Sequence, residues 1–324
     1  MNFTTYPIYH LTEIEKTTLC IFNVFSMAFG LLGNIMVVTV LNLHQNSRGM
    51  PSTIILRSLA VSDILIITSV QPLYVYSFFY IVDTSLARVV QASRWALVLA
   101  SLLHLLVVSV DRFLAICRPY LYHQKLKHTC SWCITALVIV WCFIIVLGTA
   151  LALVAKSTAR VIHGVVGFLC FLVMITLIVI HIRLFNVATR HRKKIEKEHA
   201  VKRVVRSNST EDEDSHNSQG GEKKQKHRHL LRLQLTFFHE LRAFKTTSIV
   251  CGAFLLSWLP LLIMGLIYMT TRDMNDKQTM LRIFPYVNTL AFLNSAQNPF
   301  IYSVKIYTFR ESLRIITGRI RSLA

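Results

Sequence analysis

An acid and a base, Asp111 and Arg112, stand side by side near the end of a long apolar segment that holds few other charges. Charged side chains at the edge of a bilayer are costly, and they are usually functional where they occur. Arg112 is therefore predicted to be a functional element that switches between states. The apolar segment that carries it must then hold it at a membrane surface.

A second set of polar residues lies inside apolar segments: Asp63 in the second, Ser101 in the third, and Asn294, Ser295 and Asn298 in the seventh. A carboxylate near the middle of a membrane needs partners, because an isolated buried charge is strongly disfavoured. Asn and Ser oxygens suit a hard cation such as sodium, or a bound water network. These five residues are predicted to bind sodium, and the alternative is a hydrogen-bonded packing cluster without an ion. No other cofactor is expected.

Two apolar segments contain a proline beside aromatic residues. Pro260 follows Trp258 in the sixth segment, and Pro299 lies between Asn298 and Tyr302 in the seventh. Proline removes a backbone hydrogen bond and kinks a helix, and a kinked helix can pivot. Trp258 is placed to sense whether an outer cavity is occupied, and Tyr302 is predicted to face the cytoplasmic end of the bundle.

The composition indicates a membrane protein that crosses the bilayer several times. The chain has 324 residues, of which 53% are hydrophobic and 16% charged, and this is too apolar for a soluble protein of that size. Seven stretches reach the roughly 20 apolar residues that a spanning helix needs. The predicted fold is an all-α bundle of seven transmembrane helices, at about residues 18–43, 53–79, 88–117, 132–154, 161–185, 246–269 and 280–304.

The formal net charge of +19 is concentrated in particular loops. Basic residues crowd the connections after the third and fifth spans and the tail after the seventh, so these face the cytoplasm and the N-terminus lies outside. This distribution indicates a lipid bilayer as the partner and excludes nucleic acid. Asn2 begins a glycosylation sequon on the predicted outer side. Only Cys20 lies near that side, so no extracellular disulfide is expected.

Three regions are predicted along the chain. Residues 1–17 form an extracellular N-terminus, and residues 18–304 form the seven-helix domain. This domain includes a long disordered cytoplasmic loop at about 190–235, which has helical extensions of the two spans at its edges. Residues 305–324 form an amphipathic helix on the inner leaflet and a tail, because apolar residues recur there at helical spacing among arginines.

Short motifs follow in order, one for each of six spans. They are Gly33-Asn34, Leu59-Ala60-Val61-Ser62-Asp63, Asp111-Arg112-Phe113, Trp141, Phe254 with Ser257-Trp258-Leu259-Pro260, and Asn298-Pro299-Phe300-Ile301-Tyr302. Together the motifs resemble the rhodopsin-like (class A) G-protein-coupled receptors. The resemblance implies a plasma-membrane receptor that binds an extracellular ligand and activates a heterotrimeric G protein. Receptor kinases and arrestin are further expected partners.

The same resemblance assigns roles to residues. In the resting receptor Arg112 pairs with Asp111 and with an acid at the cytoplasmic start of the sixth span, which is Glu240 here. Outward movement of the sixth helix then frees Arg112 to contact the G protein. Phe254 and Trp258 match the transmission switch of the family. The five residues around Asp63 match its sodium pocket.

Departures from the family pattern concern the outer half and the fifth span. The cysteine usual at the start of the third span is absent, with Ala87 in its region. Val173 replaces a usual proline, and His181 stands where a tyrosine usually completes the active-state water network. The missing disulfide, a short second outer loop and the missing proline are loosely similar to the melanocortin, lysophospholipid and cannabinoid receptor group.

Arg94 lies eighteen residues before Arg112, where amine receptors carry an aspartate that pairs with the ligand. Arg94, with Gln91 one turn above it, predicts an acidic group on the ligand, as in an acidic lipid or a peptide. The alternative is an arginine that points outward or pairs internally. Retinal is disfavoured, because the seventh span has Phe292 where opsins carry a lysine.

Two other classes of protein compete with the receptor interpretation. A transporter or channel with a central polar site would show a continuous polar path or inverted repeats. An intramembrane hydrolase would need paired aspartates or clustered histidines, whereas Asp63 has no intramembrane carboxylate partner and His104 stands alone. The chain is therefore not expected to be an enzyme.

Overall fold

The computed structural model describes residues 11–43, 51–80, 84–118, 122, 131–153, 156–208 and 220–305. Seven long helices occur in this part of the chain. Their bounds are α1 Glu13–Leu43, α2 Pro51–Tyr76, α3 Thr84–Cys117, α4 Ser131–Leu153, α5 Lys156–Asn208, α6 Gly220–Thr270 and α7 Met274–Lys305. The predicted all-α seven-helix bundle is confirmed. The predicted sequon at Asn2 and amphipathic helix at 305–324 lie outside the described residues, apart from Lys305.

Six helices of the described part are long and apolar enough to cross a membrane, and α7 is the exception. Its hydropathy is lower because it carries several amides and hydroxyls that are buried in the structure, among them Asn288, Asn294, Ser295 and Asn298. These groups pack inward while α7 lies against α1 and α6. The lower hydropathy of this helix therefore reflects hydrogen-bonding groups that lie in the centre of the bundle.

α2 changes its winding in the middle. It is α-helical over Pro51–Leu65, forms a π-helical turn over Ile66–Val70, and becomes α-helical again over Gln71–Tyr76. Pro72 lies two residues after this turn, where its missing N–H and its ring disturb regular α-helical hydrogen bonding. The turn accommodates the proline without ending the helix.

Helices α5 and α6 extend further into their connecting loop than the predicted disordered segment at 190–235 allows. α5 continues to Asn208 and α6 begins at Gly220, so only residues 209–219 of that loop lie outside the description. Residues 190–208 contain no Gly or Pro and are rich in Lys and Arg, which have high helix propensity. The local propensity of these residues explains the longer helix.

α3 is the central helix, in contact with α2, α4, α5 and α6. The main core lies around it, whereas outward-facing side chains such as Phe29 on α1 and Val146 on α4 are 69% and 68% exposed. Exposed apolar surface of this extent suits the hydrocarbon of a bilayer.

Gly33 permits the close approach of α1 to α7. A Cβ atom on Gly33 would lie 2.6 Å from Cβ of Pro299.

Candidate functional site

Arg112 lies near the cytoplasmic end of α3 and is almost fully buried, with 5% of its surface exposed. Its Nε donates a hydrogen bond to Oδ2 of Asp111 at 3.0 Å, and its Nη2 contacts the same oxygen. Its Nη1 donates to Oε2 of Glu240 on α6 at 2.6 Å. The structure thus brings together the three residues that the sequence assigned to a resting lock.

Tyr122, which was missed by the sequence analysis, completes this cluster. Its hydroxyl donates to Oδ1 of Asp111 at 2.9 Å and lies 3.4 Å from Nη2 of Arg112. No motif in the sequence marks it, because it lies beyond the end of α3, where hydrophobic spacing does not determine the orientation of the chain. Asp111 is therefore held by a guanidinium on one oxygen and a phenol on the other.

An apolar cluster holds α6 against α3 and α5 at the level of the lock. Phe244 and Leu241 of α6 pack with Ile116 of α3 and Leu184 of α5. Phe244 also stacks on His181 of α5, with ring centroids 5.9 Å apart. Any movement of α6 away from Arg112 must separate these contacts.

The five predicted sodium-pocket residues are all buried, but they do not all touch Asp63. Asn298 donates to Oδ2 of Asp63 at 2.9 Å, and Ser295 interacts with the same carboxylate. The Ser101 hydroxyl instead lies 3.4 Å from that of Ser62. Asn294 is buried on α7 without a partner for its Oδ1.

The buried oxygens of the predicted sodium ligands are of the type that fits a hard cation. Oδ1 of Asp63, Asn294 and Asn298 are buried acceptors without a hydrogen-bond partner, and all three are oxygen atoms. Sodium prefers such carboxylate and carbonyl oxygens, whereas softer metals prefer thiolate and imidazole ligands. Among the described residues, no group of three or more His, Cys, Asp or Glu side chains provides an alternative metal site.

The predicted switch residues lie in the core of α6 and α7. Phe254 and Trp258 stack with ring centroids 5.9 Å apart, and Pro260 lies inside α6 just beyond them. Gln297, which was missed by the sequence analysis, donates from Nε2 to the Ser257 hydroxyl at 3.2 Å. This bond joins α7 to α6 immediately before the tryptophan.

Tyr302 and His181 are not joined in this conformation. The Tyr302 hydroxyl and Nε2 of His181 are both buried without a hydrogen-bond partner. His181 uses its other ring nitrogen toward the Leu177 carbonyl at 2.9 Å. Tyr302, 3% exposed, packs in the main core with Pro299 in the turn before it. The two groups are thus available for new bonds in another conformation.

In the outer half, Arg94 of α3 meets α7. Its Nη1 donates to Oδ1 of Asn288 at 2.9 Å, and its guanidinium lies 5.8 Å from the centroid of the Trp95 ring. Gln91, predicted to contact ligand with Arg94, is half-buried one turn earlier on α3. Asn288 was missed, because a single amide in an apolar helix has no motif to mark it.

Two further sets of polar side chains connect helices through hydrogen bonds. Nε1 of Trp141 donates to the Ser58 hydroxyl at 2.9 Å, and that hydroxyl lies 2.7 Å from Nε2 of His104. The histidine is thus a packed, hydrogen-bonded residue that joins α2, α3 and α4. Toward the outer side, Asn23 donates to Thr289 and accepts from Gln71, which joins α1, α2 and α7.

A family model described as "7 transmembrane receptor (rhodopsin family)" matches residues 33–163 and 151–302. The chain belongs to this family. Its membership confirms the predicted class and agrees with the order of the motifs along the bundle. This rhodopsin-family protein is a multi-pass membrane protein. The finer resemblance to the melanocortin, lysophospholipid and cannabinoid group stays a prediction.

Several curated relatives are similar to this receptor over most of its length. The alpha-1A adrenergic receptor of Oryzias latipes is 26% identical over 90% of this chain, and that of Oryctolagus cuniculus is 27% identical over 88%. The chain spans 64% of the length of each of these two. Trace amine-associated receptor 7h of Rattus norvegicus is 26% identical, with 91% of this chain and 81% of the relative covered.

Proposed function

We propose that this protein is a ligand-activated receptor that promotes nucleotide exchange on a heterotrimeric G protein and catalyses nothing itself. The buried ion pair between Arg112 and Glu240 carries this proposal, because it ties the cytoplasmic end of α6 to α3. A contact that holds two helices together at one membrane face is suited to a two-state switch. Family membership supports the same function.

The position of Pro260 explains how α6 would open. Twenty residues separate it from Glu240, which is about 30 Å of helix. Each degree of rotation about the kink therefore moves Glu240 by about 0.5 Å. A small pivot below the ligand region is enough to break a contact of 2.6 Å.

Release of Arg112 requires a new partner for its charge. Leaving one member of a buried ion pair without compensation costs about 3–5 kcal/mol. A G-protein segment that enters the opened space would provide carbonyl or carboxylate acceptors, and it would thereby favour the open state. Ligand acts at the other end, near Arg94, Gln91 and Trp258, by binding the open state more tightly than the closed one.

Other features of the proposal follow from the family and the charge distribution. The receptor resides in the plasma membrane with its N-terminus outside, where Asn2 is a glycosylation site. Receptor kinases and arrestin bind the cytoplasmic face. Sodium binds at Asp63 with Ser101, Asn294, Ser295 and Asn298, and it favours the closed bundle because those ligands come from α2, α3 and α7.

Replacement of Glu240 tests the switch. Glu240→Gln keeps the size of the side chain but removes its charge, so the closed state loses part of its stability. A loss of about 1 kcal/mol predicts a basal nucleotide exchange that is about five-fold higher at equal surface expression. The measurement is nucleotide exchange on a co-reconstituted G protein without ligand.

Arg242→Gln is the matched control, because it changes a charge two residues away on an exposed part of α6. It should leave basal exchange unchanged. Equal basal exchange in Glu240→Gln and wild type would contradict the proposed lock.

A further inference from the structure

Arg94 is a charged side chain in the outer half of α3 whose charge is not neutralised in the described part of the protein. Its only polar contact there is the hydrogen bond to Oδ1 of Asn288, a neutral acceptor at 2.9 Å. The Trp95 ring lies 5.8 Å from the guanidinium and adds a weak cation–π contact. Partial burial of a guanidinium that has only neutral partners costs desolvation free energy. A group of opposite charge beside it would therefore stabilise it.

Carboxylates near the outer ends of the described helices are either paired elsewhere or far along a helix from Arg94. Asp276 precedes Asn288 by 12 residues of α7, about 18 Å, and Asp273 lies before the start of α7. Glu13 pairs with Lys16 in its own helix, and Glu15 pairs with Arg282 of α7. Asp83 lies outside the described residues, but α3 rises about 15 Å between its first residue and Arg94. The described acids therefore leave the charge on Arg94 without an internal partner.

Asn288 is held in place beside Arg94 by the structure of α7. It is 3% exposed, and its neighbour Thr289 accepts a hydrogen bond from Asn23 of α1 at 2.9 Å. Asn23 in turn accepts from Gln71 of α2 at 3.0 Å. An asparagine that gives its oxygen to a guanidinium still has an NH₂ group, which can donate to an anion.

We propose that Arg94 and Asn288 form the recognition site for an anionic group of the ligand, a carboxylate or a phosphate monoester. The inference rests on the proposed receptor function and names the chemistry of its ligand. After the bond to Asn288, the guanidinium keeps N–H donors in a planar fork, which matches two oxygens of such a group. An ammonium group would be repelled, so the ligand class differs from the amines in the name of the rat relative.

Thermal unfolding of the purified full chain tests this site without a G protein. The probes are octanoate against methyl octanoate, and phenyl phosphate against phenol, so that each acid is compared with a neutral molecule of similar shape. We expect at least one acid, at about 10 mM, to raise the unfolding temperature by about 2 °C more than its neutral counterpart. The two pairs also distinguish a carboxylate from a phosphate ligand.

Four variants locate the effect. Arg94→Gln should abolish the acid-specific shift, and Arg94→Lys should retain part of it. Arg88→Gln removes the same charge from the same helix six residues earlier and should leave the shift unchanged. Asn288→Asp places a carboxylate beside the guanidinium, so it should raise the unfolding temperature without ligand and abolish the acid-specific shift.

Three outcomes would overturn the proposal. They are an equal shift in wild type and Arg94→Gln, no acid-specific shift in wild type, and an Asn288→Asp protein that still responds to the acids. Because the readout is binding alone, such a failure is separate from any failure of the exchange assay on Glu240→Gln.

Discussion

The Tyr122 hydroxyl is the part of the Arg112 cluster that has the clearest effect on stability. It donates to Oδ1 of the fully buried Asp111 at 2.9 Å. Tyr122→Phe leaves that oxygen without its donor, at a cost of about 1–3 kcal/mol. We expect a lower unfolding temperature for the purified receptor. Tyr76→Phe, at a tyrosine that is 46% exposed and stacks on Tyr80, should have little effect, and equal shifts in both variants would contradict the assignment.

The sodium site proposed at Asp63 predicts that sodium raises the unfolding temperature. If its carboxylate and the amides of α7 bind the ion, sodium chloride should raise the unfolding temperature above that in potassium chloride at equal ionic strength. Asp63→Asn removes the charged ligand and should make the two salts equivalent. Glu13→Gln, at an exposed acid, should leave the difference intact. A sodium effect that persists in Asp63→Asn would rule out this site.

Residue-level contacts were predictable only where a motif marked both partners. Glu240 and Arg112 are 128 residues apart, yet the sequence pairs them because each occurs at a recognisable place in its span. Asn288, Gln297 and Tyr122 have no such mark. Their contacts depend on how α7 and the segment after α3 are oriented, which hydrophobic spacing does not determine.

Close packing of α1 against α7 depends on Gly33. A Cβ atom there would lie 2.6 Å from Cβ and 2.8 Å from Cγ of Pro299, and neither ring atom can move freely. Gly33→Ala should therefore cost about 1–3 kcal/mol through overpacking, which exceeds the gain of about 1 kcal/mol in helix propensity. Thermal unfolding measures the difference.

Gly252 of α6 is the matched control, because a Cβ atom there would meet nothing within 4 Å. Gly252→Ala should raise the unfolding temperature slightly, through helix propensity alone. If both variants raised the unfolding temperature, the contact with Pro299 would not limit how closely α1 can approach α7.

Element ends were less predictable than element positions. The hydropathy of the fifth and sixth spans predicts where they cross the membrane, and the apolar stretches Gly164–Arg190 and Glu240–Thr270 lie there. It does not predict where the helices stop, because beyond the bilayer helix propensity takes over from burial. α5 therefore reaches Asn208 although its last 18 residues are largely polar.

At the scale of the whole molecule, the outer ends of α1 and α7 are joined through Glu15. It precedes the predicted membrane-spanning stretch and contacts Arg282 at 3.2 Å and the Tyr286 hydroxyl at 2.9 Å. The backbone N–H of Thr12, and then the Tyr286 hydroxyl, lower the pKa of Glu15 from 4.5 to about 2. A depressed pKa means that these contacts stabilise the fold above pH 4.5 and lose their effect as the pH falls toward 2.

Glu15→Gln should therefore lower the unfolding temperature at pH 7, and its difference from wild type should shrink between pH 4.5 and 2. Glu13→Gln serves as the control, because the Glu13 side chain pairs with Lys16 of the same helix. A difference that is independent of pH would show that the charge of Glu15 does not join the two helices.

The seven-helix architecture was predictable because bilayer thickness and the positions of basic residues constrain the whole chain at once. Even α7, with its lower hydropathy, was predicted, because its stretch at about residues 280–304 is long and apolar enough despite the amides and hydroxyls within it. No comparable constraint determines which side chains meet in the outer half of the bundle. The hydrogen bond between Arg94 and Asn288 could therefore not be predicted from the sequence.

The π-helical turn at Ile66–Val70 affects how this chain can be aligned with its relatives. One extra residue in a helical turn rotates everything beyond it by about 100°. Positions counted outward from Asp63 along α2 would therefore be assigned to the wrong face from Gln71 onward if the relatives lack the turn. Side chains such as Gln71 and Tyr74 should be compared by their contacts with α1 and α7, and a ligand pocket transferred by numbering alone would be lined by the wrong residues on this helix.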